Sequence, residues 1–157
     1  MVDPDTFRAA LGRFASGVTV LTARDKHGAD FGMTVSAFSS QSLVPPMVLF
    51  CIGHDASMHA LLMRTADVGI SILSSEQEAL SRRFAESGID PFEGTGYSRG
   101  EHDVALLNDA VAHLECRIVD RHDAGDHTIM IANVERTTLH DRRPLLYYRG
   151  GYTQFDR

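Results

Sequence analysis

The stretch GMTVSAFSSQSLVPPMVLF, Gly32 to Phe50, puts five hydroxyl side chains into the nine positions from Thr34 to Ser42, then a double proline, then an apolar run. Two readings are open at this point. Hydroxyls and neighbouring backbone N–H groups can cradle a phosphate, or they can satisfy their own backbone in a polar loop. The run after Pro45 and Pro46, MVLFCI, is short, continuous and rich in large apolar residues, which predicts a central strand buried on both faces.

Upstream, VTVLTA (Val18–Ala23), the turn DKHG and the extended run Phe31–Val35 predict a hairpin. Before it, Asp3 and Pro4 open a helix on which Phe7, Ala10, Leu11 and Phe14 recur at helical spacing, ending near Gly17. Downstream, DASMHALLMRT predicts a short helix with Asp55 and Ser57 as caps and Met58, Leu61 and Leu62 on one side. VGISIL reads as a strand, and Ser75 with Glu78 as a capping box for a helix that carries Arg83 and Phe84 and stops at Gly88. Residues 89–103 read as one long irregular loop. AHLECRIVD and HTIMIANVE predict two long strands joined by RHDAGD, and LLYY a last strand before RGGY. Strands outnumber helices and do not alternate with them, so the expectation is a mainly β fold with helices, a closed or nearly closed antiparallel barrel. Without a linker or repeat, residues 1–157 are expected to form a single domain.

A formal charge of −6 argues against a chain whose main work is to neutralise nucleic-acid phosphates or an anionic membrane surface. No apolar run approaches the ~20 residues that span a bilayer, and the N-terminal segment is acidic where a signal peptide is basic, so a cytoplasmic location is expected. Cys51 and Cys116 lie far apart inside apolar segments and read as small buried hydrophobes.

The chain has neither a P-loop nor a GxGxxG pattern, no GxSxG elbow, and no metal-ligand spacing among its eight histidines. His127, directly after Gly125-Asp126 and before an apolar strand, faces either a pocket or water. Arg82 and Arg83 suit an anionic ligand or a solvated helix face. Composition and spacing therefore stop at a β-barrel that binds a small molecule.

Taken in order, GMTVSAFSSQSLVPPMVLF, CIGHDASMHALL, LSRRFAE, ALLNDAVAHLEC and AGDHTIMIANVE resemble the flavin reductase-like family. These are FMN-binding split β-barrels of antiparallel Greek-key type that supply reduced flavin to two-component monooxygenases. The resemblance runs from Phe7 to Phe155. It implies a homodimer that binds FMN or FAD and reduces it with NADH or NADPH, with a non-catalytic flavin carrier or sensor as the alternative. By the same resemblance Met33, Thr34, Val35, Ser36 and Ala37, with Ser39 and Ser40, hold the ribityl chain and phosphate. Cys51, Ile52 and Gly53 lie along the isoalloxazine ring, with Ser57 at the family's serine position. Phe84 and Ala85 contact the flavin, and Arg83 adds charge near its phosphate. His127 positions the nicotinamide as the catalytic residue, and Tyr148, Arg149, Gly150, Gly151 and Tyr152 close over both ligands. No metal is implied. Two departures stand out: the chain has no tryptophan in its long loop and offers Tyr97 instead, and Gln41 sits where a small apolar residue is common.

Overall fold

The computed structural model describes residues 1–156. Asp3 caps α1 (Pro4–Leu11), its carboxylate accepting from the Thr6 N–H at 3.0 Å, and Pro4 stands where no N–H is missed. The helix ends at Leu11 rather than near Gly17. Gly12 N–H closes onto Arg8, and Arg13 and Phe14 then turn back only three residues. No residue of α1 is buried, so the apolar spacing of Phe7, Leu11 and Phe14 has no packing to carry the helix further.

There follow β1 (Ser16–Gly17), β2 (Thr19–Arg24), β3 (Asp30–Val35), β4 (Phe38–Leu43), β5 (Pro46–Gly53), α2 (His59–Leu62), β6 (Asp67–Ile72) and α3 (Glu78–Phe84). The chain continues through β7 (Tyr97–Arg99), β8 (Ala105–Leu107), β9 (Ala112–Ala124), β10 (His127–Leu139), β11 (Leu146–Tyr148) and β12 (Gly151–Thr153). The expected mainly β, antiparallel architecture is what the chain adopts.

Seven strands form one antiparallel sheet in the order β3-β2-β6-β9-β10-β5-β4. Its two edges, β3 and β4, are consecutive in the chain and joined only by Ser36 and Ala37. Such a link reaches about 11 Å at most, so the sheet has to curl until its edges meet. Yet β3 and β4 share no ladder. The barrel is closed by covalent connection and open along one seam, and the hydroxyl-rich stretch is that seam: two edge strands rather than a loop.

Inside the barrel Leu21, Phe50, Ile52, Ile70 and Met130 are each no more than 1 % exposed. The long strands buried on both faces are β2 and β6, not β5. α3 lies over the outer side of β2, where Val18 and Val20 join Leu73, Phe84, Leu107 and Leu145 in a second apolar cluster. β5 alternates instead, with Val48, Phe50 and Ile52 in the core and Met47, Leu49 and Cys51 half-buried on the other face. Its apolar outer face accounts for the continuous hydrophobic run.

Three details differ from the sequence expectation. Asp55 and Ser57 do not cap α2, which starts after Met58 without a side-chain cap, although Met58, Leu61 and Leu62 are buried as expected. Ser75 and Glu78 form no capping box, because Ser75 N–H bonds to the Arg143 carbonyl and the Gln77 side chain takes the Ser74 N–H at 2.9 Å. The long loop holds a strand of its own, β7, which pairs with β8.

The three-residue strand β8 crosses the sheet outside its ladders, and buried polar side chains satisfy its backbone. Thr22 Oγ1 donates to the Ala105 carbonyl (2.6 Å), Ser71 Oγ accepts from Leu107 N–H (3.0 Å), and His113 Nε2 donates to the Leu107 carbonyl (2.6 Å). Burial pulls the His113 pKa below its ordinary value, with His140 nearby adding to the effect. A histidine depressed in the folded state binds its proton more readily when unfolded, so stability is full above about pH 6.5 and falls as pH drops toward the folded value. The melting temperature of the native chain is expected to fall more steeply below about pH 6.5 than that of His113→Gln, which keeps a donor for Leu107. Parallel curves would refute this. Among the described residues no helix is long and apolar enough to cross a membrane.

Candidate functional site

Strand register places three of the expected residues on one surface. Residues directly opposite on paired strands share a face, and His127 pairs with Gly53, Ile129 with Cys51, Ile131 with Leu49, and Leu49 in turn with Ser39. His127, Cys51 and Ser39 therefore stand on the outer face of β4, β5 and β10, turned away from the core. Cys51 N–H donates to the Ala37 carbonyl at 3.0 Å, which fastens the seam to β5. Ser36, Ala37, Ser39 and Ser40 are exposed there, with Ser39 Oγ donating to the Ser40 carbonyl. The ladder slips between Ser40 and Ser42, so Gln41 is the extra, unpaired residue of a β-bulge. Ser57 is exposed in the turn beyond Gly53.

His127 begins β10 after the Gly125-Asp126 turn, where Gly125 has φ +64°. Its Nδ1 lies 2.7 Å from Asp126 Oδ1, and this hydrogen bond holds the Asp126 carboxyl below the usual carboxylate range. Since a carboxylate only accepts, Nδ1 carries a proton, which leaves Nε2 as the ring nitrogen that Asp126 does not engage. That nitrogen lies over Gly53: a Cβ there would sit 3.8 Å from it and 2.9 Å from Asp55 Oδ1. Gly53 is therefore where the backbone of β5 comes close to both Asp55 and the His127 ring, and a side chain there would crowd the Asp55 carboxylate. Both cysteines are free thiols. Burial pushes Cys51 up and Cys116 up to about 12, so neither is a thiolate nucleophile and Cys51 is apolar wall.

A second group gathers around α3. Thr34 Oγ1 donates to the Ser81 carbonyl (2.6 Å), and the Ser81 hydroxyl meets the Tyr152 hydroxyl (2.8 Å). Phe84 packs edge-on against Phe92 with ring centroids 5.1 Å apart, and a Cβ on Gly32 would strike its ring at 2.6 Å. The guanidinium of Arg82 lies over the Tyr152 ring at 4.8 Å. Arg83 donates to the carbonyls of Pro91, Asp90 and Glu93, so the cation expected beside a phosphate anchors the following loop. Ala85 is the exposed C-cap of α3. Tyr148 and Gly151 close a two-residue hairpin in which Arg149 (φ +54°) and Gly150 (φ +77°) both take the left-handed region, as a type I′ turn demands.

The expected set thus falls into the outer face of β4, β5 and β10 and the α3 side, joined through Thr34-Val35-Ser36-Ala37. Met33, Val35 and Ile52 turn their side chains into the core, so what they offer a ligand is backbone. Sequence reasoning missed Ser81, which ties Thr34 to Tyr152, and Asp126, which sets the His127 tautomer. Asp126 stood beside His127 in plain view; Ser81 had no distinguishing signal. Among the described residues, no group of three or more His, Cys, Asp or Glu could hold a metal ion.

Comparison with known proteins bears on this arrangement. A family model described as the flavin reductase like domain matches residues 11–156. An NADH-dependent flavin reductase from a Rhodococcus species is 41% identical over 158 residues, covering 99% of this chain and 88% of its own. The reductase subunit of a flavin-dependent monooxygenase from Rhodococcus jostii is 34% identical, over 97% of this chain and 78% of its own. Among solved structures, the NADH:FAD oxidoreductase of Streptomyces globisporus C-1027, in complex with NAD and FAD fragments, superposes with a TM-score of 0.93. It is 38% identical, over 99% of this chain and 96% of that one.

Proposed function

We propose, from the premise that this chain belongs to the flavin reductase-like family, that flavin and nicotinamide meet on the outer face of β4, β5 and β10. The activity is NAD(P)H-dependent reduction of FMN or FAD, with reduced flavin supplied to a monooxygenase partner. The observation that carries the placement is the register that aligns Ser39 of the seam, Cys51, Gly53 and His127 on one surface.

The residues present fit a flavin. Residues 35–46 include no charged side chain, and Ser36, Ala37, Ser39 and Ser40 bring hydroxyl and N–H donors suited to a ribityl chain and phosphate. Thr34 serves that cradle by fixing α3 against β3. The half-buried Leu49 and Cys51, with the side-chain-free Gly53 beyond them, supply an apolar wall for the ring. When bound, the flavin accepts hydride from the nicotinamide. His127 Nε2 accepts a hydrogen bond from the carboxamide N–H, which orients the nicotinamide without a covalent step or an acid. Phe84, Ala85 and Arg83 shape the α3 side, and Tyr148–Tyr152 cover it.

The chain acts as one domain and as a homodimer in the cytoplasm. Support for a second copy comes from Leu49, Ile129 and Ile131, half-buried on the outer sheet face, and from Leu43 and Val44, 86 % and 89 % exposed where β4 turns into β5. The direct test is to follow oxidation of NADH and of NADPH by the purified protein with and without FMN or FAD. Flavin-dependent oxidation is expected, and none with any pairing would overturn the assignment.

A further inference from the structure

Directly behind His127 lies a connected set of polar side chains that the hydride transfer does not itself use. Thr128, the next residue of β10, is fully buried, and its hydroxyl donates to Asp123 Oδ1 at 2.8 Å while lying 2.8 Å from His59 Nε2. An ionised carboxylate only accepts and a hydroxyl has one proton to give, so His59 must donate its Nε2–H to Thr128. The chain His59 to Thr128 to Asp123 therefore has one polarity and one tautomer. His54 Nε2 reaches the same Asp123 oxygen at 3.3 Å, and its ring meets that of His59 edge-on with centroids 5.2 Å apart. His54 N–H also donates to the Asp126 carbonyl at 2.9 Å.

These bonds join four parts of the chain. His54 follows directly on β5, His59 opens α2, Asp123 lies near the end of β9, and Thr128 near the start of β10. Together they bracket the Gly125-Asp126 turn. The imidazole of His127 has little else to hold it: its side chain is 49 % exposed, and the side chain of its partner Asp126 is 96 % exposed. A solvent-facing carboxylate fixes the tautomer but not the position, because the pair can move together with the turn. Position has to come from the backbone, and beside the His54 N–H bond to the Asp126 carbonyl the buried Thr128 hydroxyl is a polar anchor there.

We infer that the hydrogen-bonded chain His59–Thr128–Asp123, joined by His54, is a positioning network that holds the turn bearing His127 in register with Gly53. This rests on the reading that His127 orients the nicotinamide. Hydrogen bonds from Thr128 and then from His54 hold the Asp123 carboxyl below its usual range, so the acceptor end stays ionised throughout neutral pH. Thr128, Asp123 and His59 touch neither ligand and act through His127 alone.

The test compares Thr128→Val, Thr128→Ser, Asp123→Ala and His127→Ala for NADH kinetics and flavin affinity. Thr128→Val keeps the β-branched shape and loses the hydroxyl; Asp123→Ala changes an exposed side chain and so leaves the core alone. Each is expected to raise the KM for NADH about three- to tenfold with kcat within about twofold and flavin Kd unchanged. Thr128→Ser should restore the native KM, and Thr128→Val should add nothing in the His127→Ala background, where there is no imidazole to position. If His127→Ala raises KM while both Thr128→Val and Asp123→Ala leave it unchanged, or if the Thr128 and His127 effects simply add, the network has no such role. If His127→Ala itself leaves NADH kinetics unchanged, the reading of His127 falls and the network's role with it.

Discussion

Replacing His127 with alanine is expected to lower kcat/KM for the pyridine nucleotide about 10- to 30-fold, which is about 1.4–2 kcal/mol of lost transition-state stabilisation. The loss should appear mainly in KM, with flavin affinity within about twofold of the native protein. The asymmetry follows from position. His127 opposes Gly53 at the far end of the β5–β10 ladder, whereas the donors assigned to the flavin phosphate lie at the seam and on β4. Because Asp126 accepts a hydrogen bond from Nδ1, it is Nε2 that the proposed placement turns to the carboxamide, and alanine removes both that nitrogen and its orientation. Steady-state kinetics with NADH varied at saturating flavin, beside a flavin titration, would decide it. An unchanged KM for the nucleotide would refute the assignment.

The second large effect is on stability. Phe84→Ala is expected to cost about 3–5 kcal/mol, the range for deleting a buried aromatic ring. Phe84 is 4 % exposed and belongs to the cluster that seats α3 on β2, and its ring fills the space left by the missing side chain of Gly32. With typical domain stabilities of roughly 5–15 kcal/mol, such a loss shifts the urea midpoint far while leaving the slope unchanged. It should also weaken flavin binding, because Thr34 and Tyr152 both depend on Ser81, one turn back on the same helix. A loss below about 1 kcal/mol would mean that Phe92 collapses into the gap.

Much of this fold was legible because its signals are local. The turn DKHG and the alternation around it determine the β2–β3 hairpin, and the Asp3-Pro4 pair determines where α1 begins. What escaped depends on contacts distant in sequence. The apolar spacing through Phe14 looked like a continuing helix, but periodicity predicts a helix only where something covers the apolar face, and no residue of α1 is buried. MVLFCI looked doubly buried because apolar composition cannot tell a core face from an apolar face that stays half-exposed. At the site, the seam and His127 were visible as residue types in order. Their alignment was not, since it depends on the pairing of Gly53 with His127 across 74 positions of chain. Arg83 shows the limit of residue type: its charge suggested an anion, and its partners are three carbonyls of the next loop.

The seam between β3 and β4 also governs what this chain must avoid. An edge strand is a template for any passing strand, and most proteins defend theirs with lysines or glutamates. A site that admits a phosphate and an uncharged ring leaves no room for such guards, and residues 35–46 carry none. The task falls to geometry instead. The bulge at Gln41 breaks the regular row of donors and acceptors along β4, and Pro45 and Pro46 remove two N–H groups at its end. In the placement proposed above, the opening that receives the ligand is also an unguarded edge of the barrel, so ligand occupancy and protection from misassembly are coupled in one strand.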